Sequence, residues 1–492
     1  MFKNLFKKES GPKRTPLRAD IQLQNDGVVV HPGDSDAGTV SDDTAMISGV
    51  VILSSDASIN VCSTRIAFVV QYRYKRLGKE TWEEGILHEH GETFVCGVKP
   101  DAIDVSYSQD GGIINRRIDF AILVPKDSAT YEHLPHATIL NQIRVTVELD
   151  YADWQRDELL ALPVAPPVYV DNGTIVKPII TTGSLSPGSN DCHQVQTWVK
   201  NFMIAANPNP TLGPSTLRMH KRGVAPGIGE WNSYLWSDSF SVGSYILPRL
   251  EISHASPDCN IYTVELHLFQ TYSIVPIEEY KMGVYDVEEH QYPTNSFLLY
   301  RSGEKPATNR PDTSALALWR GRAQQRGQSG TGDRDGTEEV KRFTWEAEKI
   351  RLPVAAYMRP STCVGTKSPI HLTHKFVLKV YFSVTGETVQ GEPILDAKGV
   401  GHLRLLIVNM PQQVPSCTCV DEWVTLPGYD ESNTTKGPPK VPLCACCYTL
   451  DQFPSPTFAK AFPSEEREER ERLAPLPTQW KSPVHHNAGL GL

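Results

Sequence analysis

No stretch of this 492-residue chain approaches the roughly 18 consecutive apolar residues that cross a bilayer as a helix. Nor does an apolar run follow the early lysines, as it would in a secretory leader. The expectation is therefore a soluble, intracellular protein, in which the sequons at Asn172 and Asn433 go unused. Phe2 and Lys3 break the N-myristoylation pattern. Positive charge is short as well: 48 Lys and Arg against 57 Asp and Glu leave a net charge of −9, which argues against a surface built for nucleic-acid phosphates. The chain lacks a Gly-x-Ser-x-Gly elbow, a His-Glu-x-x-His pair and a phosphate loop, so the expectation is a non-enzyme without a cofactor. The ten cysteines lack the even spacing of a disulfide scaffold, and no long segment repeats at helical spacing.

Short alternating strands are abundant. Ile66, Phe68, Val70, Tyr72 and Tyr74 share one face opposite Arg65, Gln71, Arg73 and Lys75, and Ile143, Val145, Val147, Leu149 and Tyr151 repeat the pattern. The clearest strand carries Leu372, His374, Phe376, Leu378, Val380, Phe382 and Val384 on one face. Half-buried antiparallel strands are best covered by a second sheet, so the predicted fold is all-β, with two tandem immunoglobulin-like sandwiches. The predicted boundaries are a basic arm over 1–18, a first sandwich over 19–155, a proline-rich connection over 156–190 and a second sandwich over 191–410. A polar stretch at about 302–339 reads as a disordered insertion, and 411–492 as a flexible tail.

Three groups of residues stand out. In the tail, Leu426-Pro427-Gly428-Tyr429-Asp430-Glu431 has the composition of an extended polyproline-type ligand for a WW-domain groove. A stricter Pro-Pro-x-Tyr, Pro166-Pro167-Val168-Tyr169, lies among valines that suit a buried strand, which makes it the weaker candidate. The thiols of Cys417, Cys419, Cys444, Cys446 and Cys447 have three readings: a zinc site, palmitoylation, or plain reduced cysteines. Read as Cys-x-Cys pairs across a 24-residue gap, they do not favour metal. His371 and His374 point to opposite faces of a strand and cannot chelate together, so His374 reads as a core histidine. His88 and His90 share a face but lack further ligands. Lys3, Lys7, Lys8, Lys13, Arg14 and Arg18 offer a weak foothold on an anionic membrane, or a frayed terminus.

Taken in order, Gly49-Val50-Val51-Ile52-Leu53, Arg65 to Tyr74, Phe240-Ser241-Val242-Gly243, Ile350-Arg351-Leu352-Pro353, Ser368 to His374 and the Leu426–Glu431 motif resemble the arrestin superfamily, specifically the α-arrestin, or arrestin-domain, adaptors. The resemblance spans about residues 19 to 432. It implies a cytoplasmic adaptor, recruited to the plasma membrane or endosomes, whose sandwiches bind a transporter or receptor cargo while the tail recruits a HECT-type ubiquitin ligase through its WW domains, promoting endocytosis. The tail departs from the family pattern in having Leu426 where a proline is common, which implies weaker ligase binding. A rival within the same fold is a scaffold of a membrane-sorting coat that uses no ligase, and a rival of another class is a zinc hydrolase built on the clustered cysteines or histidines.

Overall fold

The structure, a computed structural model, describes residues 17–32, 45–55, 60–95, 107–110, 113–150, 179–182, 193–209, 213–311, 314–321, 342–394, 401–420 and 444–453. Among them the fold is all-β: helix is confined to α1 (Ile277–Met282) and three 3-10 turns, and no helix is long and apolar enough to cross a membrane. The chain divides into two compact units, one running to residue 205 and the other from 206, with residues 31–33 grouped in the second.

The strands of the first unit are β1 (Arg18–Leu23), β2 (Gly27–Val30), β3 (Ala45–Ser55), β4 (Asn60–Lys75), β5 (Trp82–Val95), β6 (Tyr107–Asp110), β7 (Ile113–Val124), β8 (Glu132–Leu134), β9 (Ala137–Asp150), β10 (Ile179–Thr182) and β11 (His193–Ala206). They form two antiparallel sheets, ordered β1-β3-β7-β6 and β10-β11-β9-β4-β5, with β2 on β11 and β8 on β9. Alternation decides which face is covered. Ile47, Val51 and Leu53 of β3 and Ile118, Phe120 and Ile122 of β7 are buried, while Arg117, Asp119 and Leu123 are exposed. All five residues expected on the inner face of β4, from Ile66 to Tyr74, are buried, as are Ile143, Val145, Val147 and Leu149.

The second unit contains β12 (Leu217–Ala225), β13 (Gly229–Ser237), β14 (Tyr245–Ile252), β15 (Cys259–Ile274), β16 (Asn295–Gly303), β17 (Trp319–Arg320), β18 (Phe343–Glu346), β19 (Ile350–Arg351), β20 (Ile370–Val384) and β21 (Arg404–Gln412). One sheet runs β12-β13-β14-β18 with β19 on β14, and the other β16-β15-β20-β21 with β17 on β15. Between them lies a continuous apolar core in which Leu235, Ile246, Leu250 and Ile252 meet Val264, Leu266, Phe376, Leu378 and Val380. Such interlocking of two sheet faces makes a sandwich. Every residue expected on the inner face of β20, Leu372 through Val384, is buried.

Three boundaries differ from the sequence expectation. Residues from 191 on were expected in the second sandwich, but β11 pairs with β9 from His193↔Asp150 to Phe202↔Asn141 and lies in the first unit. An alternating strand does not encode its partner, and this one completes the sheet on its N-terminal side. In the insertion expected over 302–339, Ser302 and Gly303 finish β16, and Trp319-Arg320 pairs with Asn260 and Ile261. Trp319 packs against the apolar core, which gives this polar stretch an anchor. The third difference is the tail. Pro411 and Gln412 complete β21, Val414 and Val420 are buried, and Ala445 and Phe453 cover Trp236, Tyr245 and Leu247 on the side of the sheet away from the main core. Residues 312–313 and 322–339 of the expected insertion and 421–443 and 454–492 of the expected tail lie outside the described residues, as does the proline-rich connection apart from β10.

His374 is 4% exposed, with Nδ1 2.8 Å from Ser361 Oγ and Nε2 3.3 Å from Gln270 Oε1. Burial pushes its pKa down from 6.5 to about 4, so the folded protein holds it neutral where the unfolded chain would protonate it. Its contribution to stability is therefore complete above pH 6.5 and is lost as the pH falls toward 4, with a slope of about 1.4 kcal/mol per pH unit inside that window. Urea unfolding at intervals from pH 7 to 4.5 should show this component in the natural protein and not in His374→Gln. Equal slopes in the two proteins would contradict it.

Candidate functional site

Two short segments meet on the outer side of β14. The first, Ser416–Val420, is a turn in which the Cys419 amide donates to the Ser416 carbonyl at 3.0 Å and the Ser416 and Thr418 hydroxyls lie 3.1 Å apart. The second begins at Cys444 and turns in a 3-10 helix over Ala445–Cys447, closed by the Cys447 amide on the Cys444 carbonyl at 2.9 Å. Three residues per turn set side chains i and i+3 above one another. Cys444 and Cys447 are so spaced, and their Sγ atoms are 3.6 Å apart.

The segments are fastened to each other and to the sheet. Ala445, wholly buried, donates its amide to the Cys417 carbonyl at 2.8 Å. Arg351 of β19 donates to the carbonyls of Ala445 and Cys446 at 3.4 and 3.1 Å, and Lys349 to those of Leu450 and Phe453 at 3.3 and 2.7 Å. The Lys349 ammonium also sits 5.1 Å from the centre of the Tyr245 ring. Beneath them, the Phe453 ring lies 5.4 Å from Tyr245 and 5.6 Å from Tyr448. Thr449 and Gln452 close the last turn with a reciprocal capping box.

This docking brings the Sγ atoms of Cys417, Cys444 and Cys446 within 4.8 Å of one another. Cys446 points at Gly243, whose φ of +76° turns the chain before β14 and whose missing side chain leaves room for the sulfur. The Ala355 amide donates to Cys446 Sγ at 3.2 Å. Hydrogen bonds from Cys417 and Cys444, together with that amide, hold the Cys446 thiol well below the ordinary range and favour its thiolate. Cys417 is pushed the opposite way, chiefly by its bonds to Cys444 and Cys446, because it is a donor in the cluster. The exposed Cys447 thiol is raised in turn by its own bond to Cys444. Converging sulfurs with one favoured thiolate can ligate a soft or borderline metal ion.

Of the five tail cysteines, four gather here and one does not. Cys419 is buried, donates to the Ala206 carbonyl at 3.5 Å, and is pushed up to about 12 by burial, with Cys363 nearby acting in the same direction. Leu426, Pro427, Tyr429, Asp430 and Glu431 lie outside the described residues, as do Pro166, Pro167 and Tyr169. The histidines do other work. The His88 ring packs tilted against Phe68, 5.6 Å between centres. The Ser361–His374 pair is buried, accepts the Val414 amide on the hydroxyl at 2.8 Å, and has an amide, Gln270, where a catalytic pair has a carboxylate. It ties the start of β20 to the segment after β21.

Neither protein-family models nor curated proteins match this chain. The site is thus defined by its own geometry. Gly243, Arg351 and Ala355 are its unforeseen members. Another signal was present in the sequence: Cys444-Ala445-Cys446-Cys447 contains a Cys-x-x-Cys between 444 and 447, hidden when the cysteines are read as Cys-x-Cys pairs.

Proposed function

We propose that this chain is a non-catalytic adaptor of the arrestin type. Its β-sandwiches hold a plasma-membrane transporter or receptor, and Leu426-Pro427-Gly428-Tyr429-Asp430-Glu431 recruits a HECT-type ubiquitin ligase through a WW domain, which promotes ubiquitination and endocytosis of the cargo. The protein acts in the cytoplasm, at the plasma membrane or on endosomes. What supports this reading is an order along the chain: an all-β body of antiparallel sheets, then a proline–tyrosine peptide at Leu426–Glu431 in the sequence that follows it. A ligase held beside a sandwich-bound cargo works at raised effective concentration, so the adaptor needs no chemistry of its own.

The test is a binding titration of full-length protein with an isolated WW domain. Tyr429→Ala is expected to weaken binding at least about tenfold, the loss typical of an aromatic anchor. Tyr169→Ala is expected to change it little. Binding that survives Tyr429→Ala unchanged would defeat the ligase-recruiting role and favour the coat scaffold.

A further inference from the structure

We propose that Cys417, Cys444, Cys446 and Cys447 form a structural zinc site that rivets the segment 444–453 to the outer face of β14. The proposal stands independently of the adaptor reading, because it uses only residues placed in the second unit.

Donor chemistry and spacing come first. Tetrahedral zinc with Zn–S bonds near 2.3 Å sets its sulfurs about 3.8 Å apart. Cys444 and Cys447 are already 3.6 Å apart, close to one edge of such a tetrahedron. Cys417, Cys444 and Cys446 lie within 4.8 Å of one another and define a face of three sulfurs. Cys447 is exposed on its turn, so a side-chain rotation brings it in as the fourth ligand without displacing packed atoms. Structural zinc sites use such sets: a Cys-x-x-Cys turn plus sulfurs from another segment.

The surroundings also fit a thiolate-bound ion. A zinc ion with four thiolates carries two net negative charges, and an outer layer of donors and cations stabilises it. The Ala355 amide supplies an N–H···S bond to Cys446, and Arg351 brings its guanidinium to the carbonyls on either side of that residue's amide, 3.4 and 3.1 Å away. Gly243 allows the close backbone approach, since a Cβ there would stand 2.7 Å from Cys446 Sγ and 3.0 Å from its Cα. On the open side, Cys447 faces solvent and gives the ion a path in. Binding releases the remaining thiol protons to water, with no change of oxidation state. A disulfide fits this arrangement less well, because any one S–S bond leaves two of the four sulfurs crowded together without a common partner.

The consequence is mechanical. One ion would join the turn at Ser416–Val420 to the turn that begins at Cys444 and hold Ala445 and Phe453 in their apolar seats.

Full-length protein purified under reducing conditions is assayed for metal by plasma mass spectrometry, and its cobalt-substituted form by absorption spectroscopy. Expected are about one zinc per chain, cobalt bands of a tetrahedral thiolate site, and less than about a tenth of the metal in Cys446→Ser with near-full retention in Cys419→Ser. Cys447→Ser should keep metal but shift the cobalt spectrum toward three thiolates. In the natural protein, a strong chelator should lower the melting temperature and added zinc restore it, a readout independent of any variant's folding. A chain that takes up no zinc when zinc is supplied, a mass two hydrogens lower from a disulfide among the four, or metal lost as fully in Cys419→Ser as in Cys446→Ser would each overturn the proposal.

Discussion

Replacing Phe453 by alanine is expected to destabilise the second unit by about 3–5 kcal/mol, the range for removing a buried phenylalanine. Its ring is 3% exposed and fills the space between Tyr245 and Tyr448, over a sheet face that also carries Trp236 and Leu247. Lys349 holds the backbone of Leu450 and Phe453 from the sheet side, so the gap is expected to close only in part. Chemical denaturation of the full chain, followed by tryptophan fluorescence, reads the loss. Met282, 68% exposed at the end of α1, provides the contrast, and Met282→Ala should stay within about 0.5 kcal/mol of the natural protein. If Phe453→Ala behaves like Met282→Ala, the segment 444–453 is not seated on β14.

Gly243→Ala should be nearly as damaging, for two separable reasons. At φ +76° an alanine costs about 1–2 kcal/mol from its own backbone. The added Cβ would also meet Cys446 at 2.7 Å from Sγ, 3.0 Å from Cα and 3.1 Å from the amide nitrogen, and a backbone held by Arg351 cannot yield cheaply. Overpacking of this kind adds about 1–3 kcal/mol. Gly386 has the same φ of +76° and nothing within 4 Å of its Cβ position, so Gly386→Ala measures the backbone cost alone. The excess loss in Gly243→Ala isolates the contact with the thiol cluster and should come with faster reaction of Cys446 with a thiol reagent. Equal losses in the two variants would show that Cys446 does not rest against Gly243.

The strands were legible because one rule governs them. In β4 and β20 side chains alternate across a covered sheet, and His374 falls in step with its apolar neighbours, so its burial follows from its position. Pairing obeys no such local rule. His193–Ala206 reads as a strand, but only its register against β9 shows which unit it completes. The tail was obscured by its composition: prolines and polar residues outnumber the few apolar anchors, Val414, Val420, Ala445 and Phe453, which become visible only against the face they cover. The thiol cluster lay between these extents. Its Cys-x-x-Cys is in the sequence, but the contribution of Cys417, the exclusion of Cys419 and the space left by Gly243 depend on the docking of two distant segments.

Proximity labelling in cells, comparing the intact chain with Tyr429→Ala, tests the adaptor reading most directly. The adaptor account predicts that a WW-containing ubiquitin ligase disappears from the labelled set while integral membrane proteins remain. Retention of the ligase, or loss of the membrane proteins together with it, would contradict the division of labour between the sandwiches and the proline–tyrosine segment.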